Sequence, residues 1–173
     1  MNFDGEAILA VLHRHEVDFI LIGGFAAVAQ GSPFPTTDVD ITPALEPANF
    51  ARLSAALTEL DARVRAEGQE PQVFRHSAES LAAVAIWNLT TTYGDLDISL
   101  TPSGTTGYED VRRDAVELEI RGTKVMVASL ADIVRSKGAA GRDKDRRALP
   151  VLRELLARQT RDVGQGRTGG PMG

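Results

Sequence analysis

Apolar and polar positions divide this chain into short elements that alternate between two periods. Residues 5–15 place Ala7, Ile8, Val11 and Leu12 at the i, i+3, i+4 spacing of an amphipathic helix. Residues 17–22 form a continuous apolar run, short enough for a buried strand, that ends on Gly23-Gly24. Two adjacent glycines permit a tight turn and a close approach of the backbone. Residues 25–30 fit a short helix stopped by Gly31, and Ser32-Pro33-Phe34-Pro35 reads as a loop. A second strand is predicted over 38–42. A helix follows over 47–60, with Phe50, Leu53, Leu57 and Leu60 on one stripe and Pro47 in its first turn.

Residues 61–80 are polar and match neither period. A strand is expected around 85–91, then a turn at Tyr93-Gly94-Asp95, another strand over 96–100 and a polar loop over 101–107. Residues 116–120 and 124–128 flank Arg121-Gly122-Thr123 as the arms of a hairpin. Ser129 is placed to cap a helix from Leu130, with Asp132 in its first turn and Gly141 as its breaker. The last amphipathic helix spans 143–158, with Leu149, Leu152, Leu155 and Leu156 on its apolar stripe. The predicted organisation is one domain over 1–160 and a disordered Gly-rich tail over 161–173. Strands interleave with helices, yet some are hairpin-connected. The expected class is therefore α/β in the wider sense, an α+β mixed sheet with flanking helices and a C-terminal helical segment.

The most informative polar positions lie inside the second strand. Side chains alternate faces along a strand, so Asp38 and Asp40 point one way while Val39 and Ile41 enter a core. Two like charges on one face repel, and a protein that only had to fold would gain little from them. A divalent cation offsets the repulsion, and Mg²⁺ is usually held by one or two carboxylates together with substrate phosphates. Asp97 has the same setting, between Leu96 and Ile98, and is the expected third acid. Asp95 competes for that role, but behind Gly94 it reads as a turn residue. Gly23-Gly24 lies fourteen residues before Asp38 and can cradle a triphosphate if the next helix turns its N-terminal amides toward it. The set points to a metal-dependent site for a nucleoside triphosphate.

Gly-Gly followed by Asp-x-Asp resembles the signature of the DNA polymerase β-type nucleotidyltransferase superfamily, and over roughly residues 7–158 the chain looks most like small bacterial toxins of the AbiEii/MenT type. The resemblance implies a minimal nucleotidyltransferase fold. It also implies transfer of NMP from an NTP to a hydroxyl, one or two Mg²⁺ on Asp38, Asp40 and Asp97, and β- and γ-phosphates at Gly23 and Gly24. Such relatives carry a Lys in the helix matching 130–140, followed by an Arg and a Lys-Asp pair. By that comparison Lys137 binds the triphosphate, and Arg142, Lys144 and Asp145 lie near the nucleotide or organise the site. Asp145 also fits a helix N-terminal acid paired with a neighbouring Arg. The toxin likeness further implies the tRNA 3′ end as acceptor and an antitoxin partner. The chain departs from many relatives in one place: the loop before Asp38 has no basic residue, so any phosphate or acceptor contact made there is absent or comes from elsewhere. Two other readings stay open, an aminoglycoside-type small-molecule or protein acceptor, and a catalytically inactive binding module such as an antitoxin.

Composition narrows these choices. A length of 173 residues with 43% hydrophobic content suggests one cored domain. Cysteine is absent, which excludes disulfides, thiolate metal sites and Cys nucleophiles and fits the cytoplasm. No apolar run approaches the ~20 residues of a membrane helix, and the N-terminus lacks the basic start of a secretion signal. The net charge of −5 conceals an asymmetry: residues 135–167 hold ten Lys and Arg against four acids, and the remainder nine against twenty. Such a basic segment is compatible with a phosphate-rich partner. His13, His15 and His76 are too few and scattered for a metal site. Trp87 is expected in the core, and with 5% aromatics Phe34 and Tyr93 make no stacking platform. Ser32 and Ser129 have no identifiable His partner for hydrolysis.

Overall fold

The computed structural model describes residues 2–165. Seven strands form one mixed sheet in the order β3-β4-β5-β2-β1-β7-β6. The strands are β1 Phe19–Ile22, β2 Asp38–Pro43, β3 Arg63–Val64, β4 Ile86–Thr91, β5 Gly94–Ser99, β6 Val116–Ile120 and β7 Thr123–Val127. The helices are α1 Gly5–Arg14, α2 Gly23–Ala29, α3 Pro47–Glu59, α4 Ala78–Ala82, α5 Tyr108–Arg112, α6 Leu130–Ala140 and α7 Asp143–Gln165. β1 pairs with β7, and β2 with β5, in parallel; the other pairings are antiparallel. The mixed sheet expected from the sequence is present.

Alternation along β2 and β5 divides the sheet into two chemically different faces. Val39, Ile41, Leu96 and Ile98 are buried at 1% exposure or less and join Leu89 in the core. α1 lies against β2, β5 and β7, and α3 lies against α1, contributing Phe50, Leu53 and Leu57. The intervening residues Asp38, Asp40, Asp95 and Asp97 point the other way, where α2, α6 and the start of α7 border an open cavity.

Local chemistry sets the ends of the helices beside that cavity. Ser129 Oγ accepts from the Asp132 amide at 3.1 Å and starts α6. Gly141 adopts φ 62°, ψ 20° and ends it in the left-handed conformation that glycine reaches without a Cβ penalty. That turn lets α7 fold back along α6.

Several elements differ from the expectation. Residues 61–80 contain β3, a bridge from Val64 to Gln72, and the first residues of α4, whose Ser77 and Ser80 form a reciprocal cap. α5 follows the 101–107 loop at once. Five residues give too little periodicity to announce these pieces. Asp95 belongs to β5, paired with Asp38, and is not confined to the turn; the hairpin is tighter than expected because Gly94, at φ 124°, sits inside the ladder. α7 runs to Gln165, past the boundary at 160, and the tail over 166–173 lies outside the described residues. Among the described residues no helix is long and apolar enough to cross a membrane.

Candidate active site

Parallel pairing of β2 with β5 matches Asp38 to Asp95 and Asp40 to Asp97, so period-two geometry places four acids on one patch of sheet. Asp38, Asp40 and Asp97 each offer a carboxylate oxygen within 4.8 Å of the other two. Among the described residues neither Asp38 nor Asp40 forms a salt bridge. Asp38 accepts a hydrogen bond from Thr36 Oγ1 at 2.7 Å. Burial pushes the Asp40 carboxyl from 3.8 up to about 7, and the charges of Asp38 and Asp97 add to the rise while Lys144 and Lys137 oppose it. Burial likewise raises Asp97, against the influence of Arg65. This is a cluster with excess negative charge and hard oxygen donors, the chemistry that fits Mg²⁺ or Mn²⁺.

Gly23 is fixed at φ 69°, and a Cβ built there would lie 2.2 Å from Asp40 Oδ2. A Cβ on Gly24 would lie 2.9 Å from Thr36 Oγ1. The two glycines therefore leave open the floor between the first turn of α2 and the acids, and no side chain caps the start of α2. Gly23→Ala is expected to cost on the order of 2–4 kcal/mol, from the left-handed backbone and displacement of Asp40 together. Urea unfolding checks this; an unchanged midpoint would mean that the turn relaxes freely.

Across the cavity stands a wall of cations. Lys137 Nζ lies 3.2 Å from Asp145 Oδ1, and Arg142 Nε lies 2.7 Å from Asp145 Oδ2. Asp145 has no exposed surface. Asp145 sits in the first turn of α7, where it pairs with Arg142 and accepts a hydrogen bond from Lys137 at the cavity rim. Lys137, Arg142, Lys144 and Arg147 line the cavity, whose volume is about 770 Å³, together with Gly23, Gly24, Asp38, Asp40 and Asp97. Eight of the nine residues singled out from the sequence for the site thus meet at one cavity, and Asp145 organises two of them from behind.

The sequence reading missed Arg65. Its backbone amide bonds Asn88 O at 2.9 Å, extending β3 by one residue and setting its side chain on the acidic face. The guanidinium NH2 lies 2.7 Å from Asp97 Oδ1 and Nε lies 3.3 Å from Asp95 Oδ2. The polar–apolar–polar alternation Arg63-Val64-Arg65 was the only available signal, and it is shorter than any usable period. His76 accepts a structural place against Ser54, 2.8 Å from its Oγ, and Trp87 rests on Phe74 with ring centres 5.3 Å apart.

With this geometry in view, the comparisons fall into two groups. No protein-family model and no curated protein sequence matches the chain. Solved structures do. The lincosamide antibiotic adenylyltransferase LnuA, with lincomycin bound, superposes with a TM-score of 0.60 at 15% identity, over 90% of this chain and 99% of that one. ANT(2″)-Ia, in complex with adenylyl-2″-tobramycin, gives 0.56 at 17% identity, over 90% and 89%. TM1012 of Thermotoga maritima, assigned as a nucleotidyltransferase, gives 0.53 at 18% identity, over 88% and 90%. The fold is that of the nucleotidyltransferases. None of the three is described as an AbiEii/MenT toxin, so that narrower likeness gains nothing from them.

Proposed function

We propose that this protein is an enzyme that transfers a nucleoside monophosphate from a nucleoside triphosphate to an acceptor hydroxyl. The observation that carries this reading is the facing of two charge types across one cavity: three carboxylates within 4.8 Å of one another on the sheet, and Lys137 and Arg142 held on the helical side. Asp38 and Asp40 would hold Mg²⁺, with Asp97 as the third acid. Bound there, the ion would offset the charge of the acids and of the triphosphate and stabilise the leaving pyrophosphate.

The chain's own groups account for the rest. Gly23 and Gly24 keep the phosphate floor open. Lys137, anchored by Asp145, presents a compact cation to the phosphates, whose negative charge grows as the bond to the α-phosphorus breaks. The acceptor oxygen forms the new bond to that phosphorus, pyrophosphate leaves with the bridging oxygen, and the hydroxyl proton passes to a carboxylate of the cluster, with Asp97 as the candidate base.

The acceptor we favour is a hydroxyl of a small molecule. The cavity volume of about 770 Å³ lies within the range of small-molecule pockets. The basic segment that suggested nucleic acid is partly neutralised internally: Arg135, Lys137, Arg142, Arg146 and Arg158 all pair with acids of this chain. LnuA is a lincosamide antibiotic adenylyltransferase and ANT(2″)-Ia is seen in complex with adenylyl-2″-tobramycin, which agrees with this choice. A second reading, a toxin modifying the tRNA 3′ end under an antitoxin's control, draws on Lys144, Arg147, Arg153 and Arg161, which form no salt bridge among the described residues. The test is incubation with Mg²⁺ and each NTP labelled at the α-phosphate, offered separately to an aminoglycoside and lincosamide panel and to total tRNA. Label on one of the small molecules, absent with Asp40→Asn, is the expected result. Label on tRNA alone would move the acceptor to RNA. Label on neither, with no stabilisation by NTP and Mg²⁺, would leave a binding module.

A further inference from the structure

Arg65 divides the four acids into two unequal pairs. Asp97 and Asp95 face its guanidinium at 2.7 and 3.3 Å. The first contact is a directed hydrogen bond, and the second is electrostatic, since the Nε hydrogen finds no partner. Asp95 also accepts from Thr90 Oγ1 at 2.8 Å. Among the described residues Asp38 and Asp40 have no cation paired with them in this way. The arginine is not loosely placed. Its amide is tied to Asn88 O, the preceding Val64 pairs with Leu89 on one side and bridges to Gln72 on the other, and its side chain is 36% exposed. Asp97 lines the cavity, but Arg65 and Asp95 do not. The guanidinium therefore approaches Asp97 from the side away from the substrate space.

A second divalent ion at Asp97 would have to displace a charge-assisted hydrogen bond in a half-buried setting, where such bonds are stronger than neutral ones. It would also leave Asp95 without its cation. Building on the nucleotidyl-transfer reading of the site, we infer that Arg65 takes the place of a second metal. The cluster accepts a single divalent ion between Asp38 and Asp40, and the protein itself supplies the positive charge at Asp97. Arg65 is a positioning residue in this scheme. It fixes one oxygen of Asp97 and leaves the other free to face the ion or the acceptor hydroxyl.

The test is a count of Mn²⁺ ions bound to the full chain, by electron paramagnetic resonance with Mn²⁺ as the only added ligand. Wild type is expected to bind one ion per chain with a mononuclear spectrum. Arg65→Met is expected to gain a second ion with an exchange-coupled spectrum, and Arg65→Lys, which retains a cation, to remain at one. Two coupled ions on the wild type would overturn the inference while sparing the wider reading, and that result needs no variant to fold. One ion on a folded Arg65→Met protein, checked by circular dichroism, would also overturn it. No Mn²⁺ on the wild type, or binding unaffected by Asp40→Asn, would overturn both the inference and the reading it rests on.

Discussion

Asp40→Asn is expected to melt several degrees above the wild type at pH 8 in the absence of divalent ions, and to lose nucleotidyl transfer. The two effects have one cause. Burial first, then the neighbouring Asp38 and Asp97, raise the Asp40 carboxyl from 3.8 to about 7. Between about pH 4 and 7 the folded protein keeps a proton that the unfolded chain releases, so the Asp40 contribution to stability falls as pH rises through that window and is lost above it. Three pKa units correspond to about 4 kcal/mol as an upper bound. Asparagine still buries an amide, so a net gain of about 1–3 kcal/mol is expected, with a shift of roughly 2–4 °C for each kcal/mol in a domain of this size. Below pH 4 both forms of the side chain are neutral and the difference should shrink. Mg²⁺ at pH 8 should stabilise the wild type and leave the variant unmoved. Thermal melts at pH 4 and pH 8, with EDTA or Mg²⁺, check all four points. A variant that melts below the wild type at pH 8 without metal would make Asp40 a structural carboxylate.

Asp145→Asn is expected to lose about 3 kcal/mol of stability at pH 7. Burial alone would raise this carboxyl, but the bonds from Arg142 and Lys137 outweigh it and hold it below its usual range. Its contribution is thus present above the unfolded-state pKa and is lost as pH falls through the lower folded value. Removing the charge strands Lys137, whose side chain is 14% exposed, whereas Arg142 at 62% can turn to water. That difference puts the expected cost at the low end of what breaking a buried pair entails. Affinity for NTP should fall as well, because Lys137 loses the anchor that aims it at the cavity. Urea unfolding measures the first effect and nucleotide titration the second. A stability loss under 1 kcal/mol would mean that α6 and α7 are held together by their apolar contacts alone.

The sequence was most readable where one local rule decided each position. Period-two alternation exposed Asp40 and Asp97, because each lies between apolar residues that have to be buried, and Asp38 follows as the same-face neighbour of Asp40 across Val39. A glycine pair at a strand end also serves an ordinary turn, so Gly23 was visible only together with the Asp pair that follows it, and the structure supplies the reason in the Asp40 oxygen that any Cβ would strike. Ser129 and Gly141 announced the ends of α6 by cap chemistry. Long-range information was not readable. The pairing of Asp40 with Asp97 depends on the parallel register of β2 and β5, which no local pattern encodes. Arg65 becomes part of the site only through a two-residue strand at the sheet edge, in a stretch with no period. The basic segment was legible only as a total, since a count of charges does not tell which ones face acids of the same chain.

Incubation with Mg²⁺ and one NTP carrying its label at either the α- or the γ-phosphate tests the central claim most directly, using wild type and Asp40→Asn with the small-molecule and tRNA acceptors together. The account predicts that the α-label moves to an acceptor, that the γ-label leaves as pyrophosphate, and that both changes vanish in the variant. Transfer of the γ-label to the acceptor, or equal behaviour of wild type and variant, would contradict it.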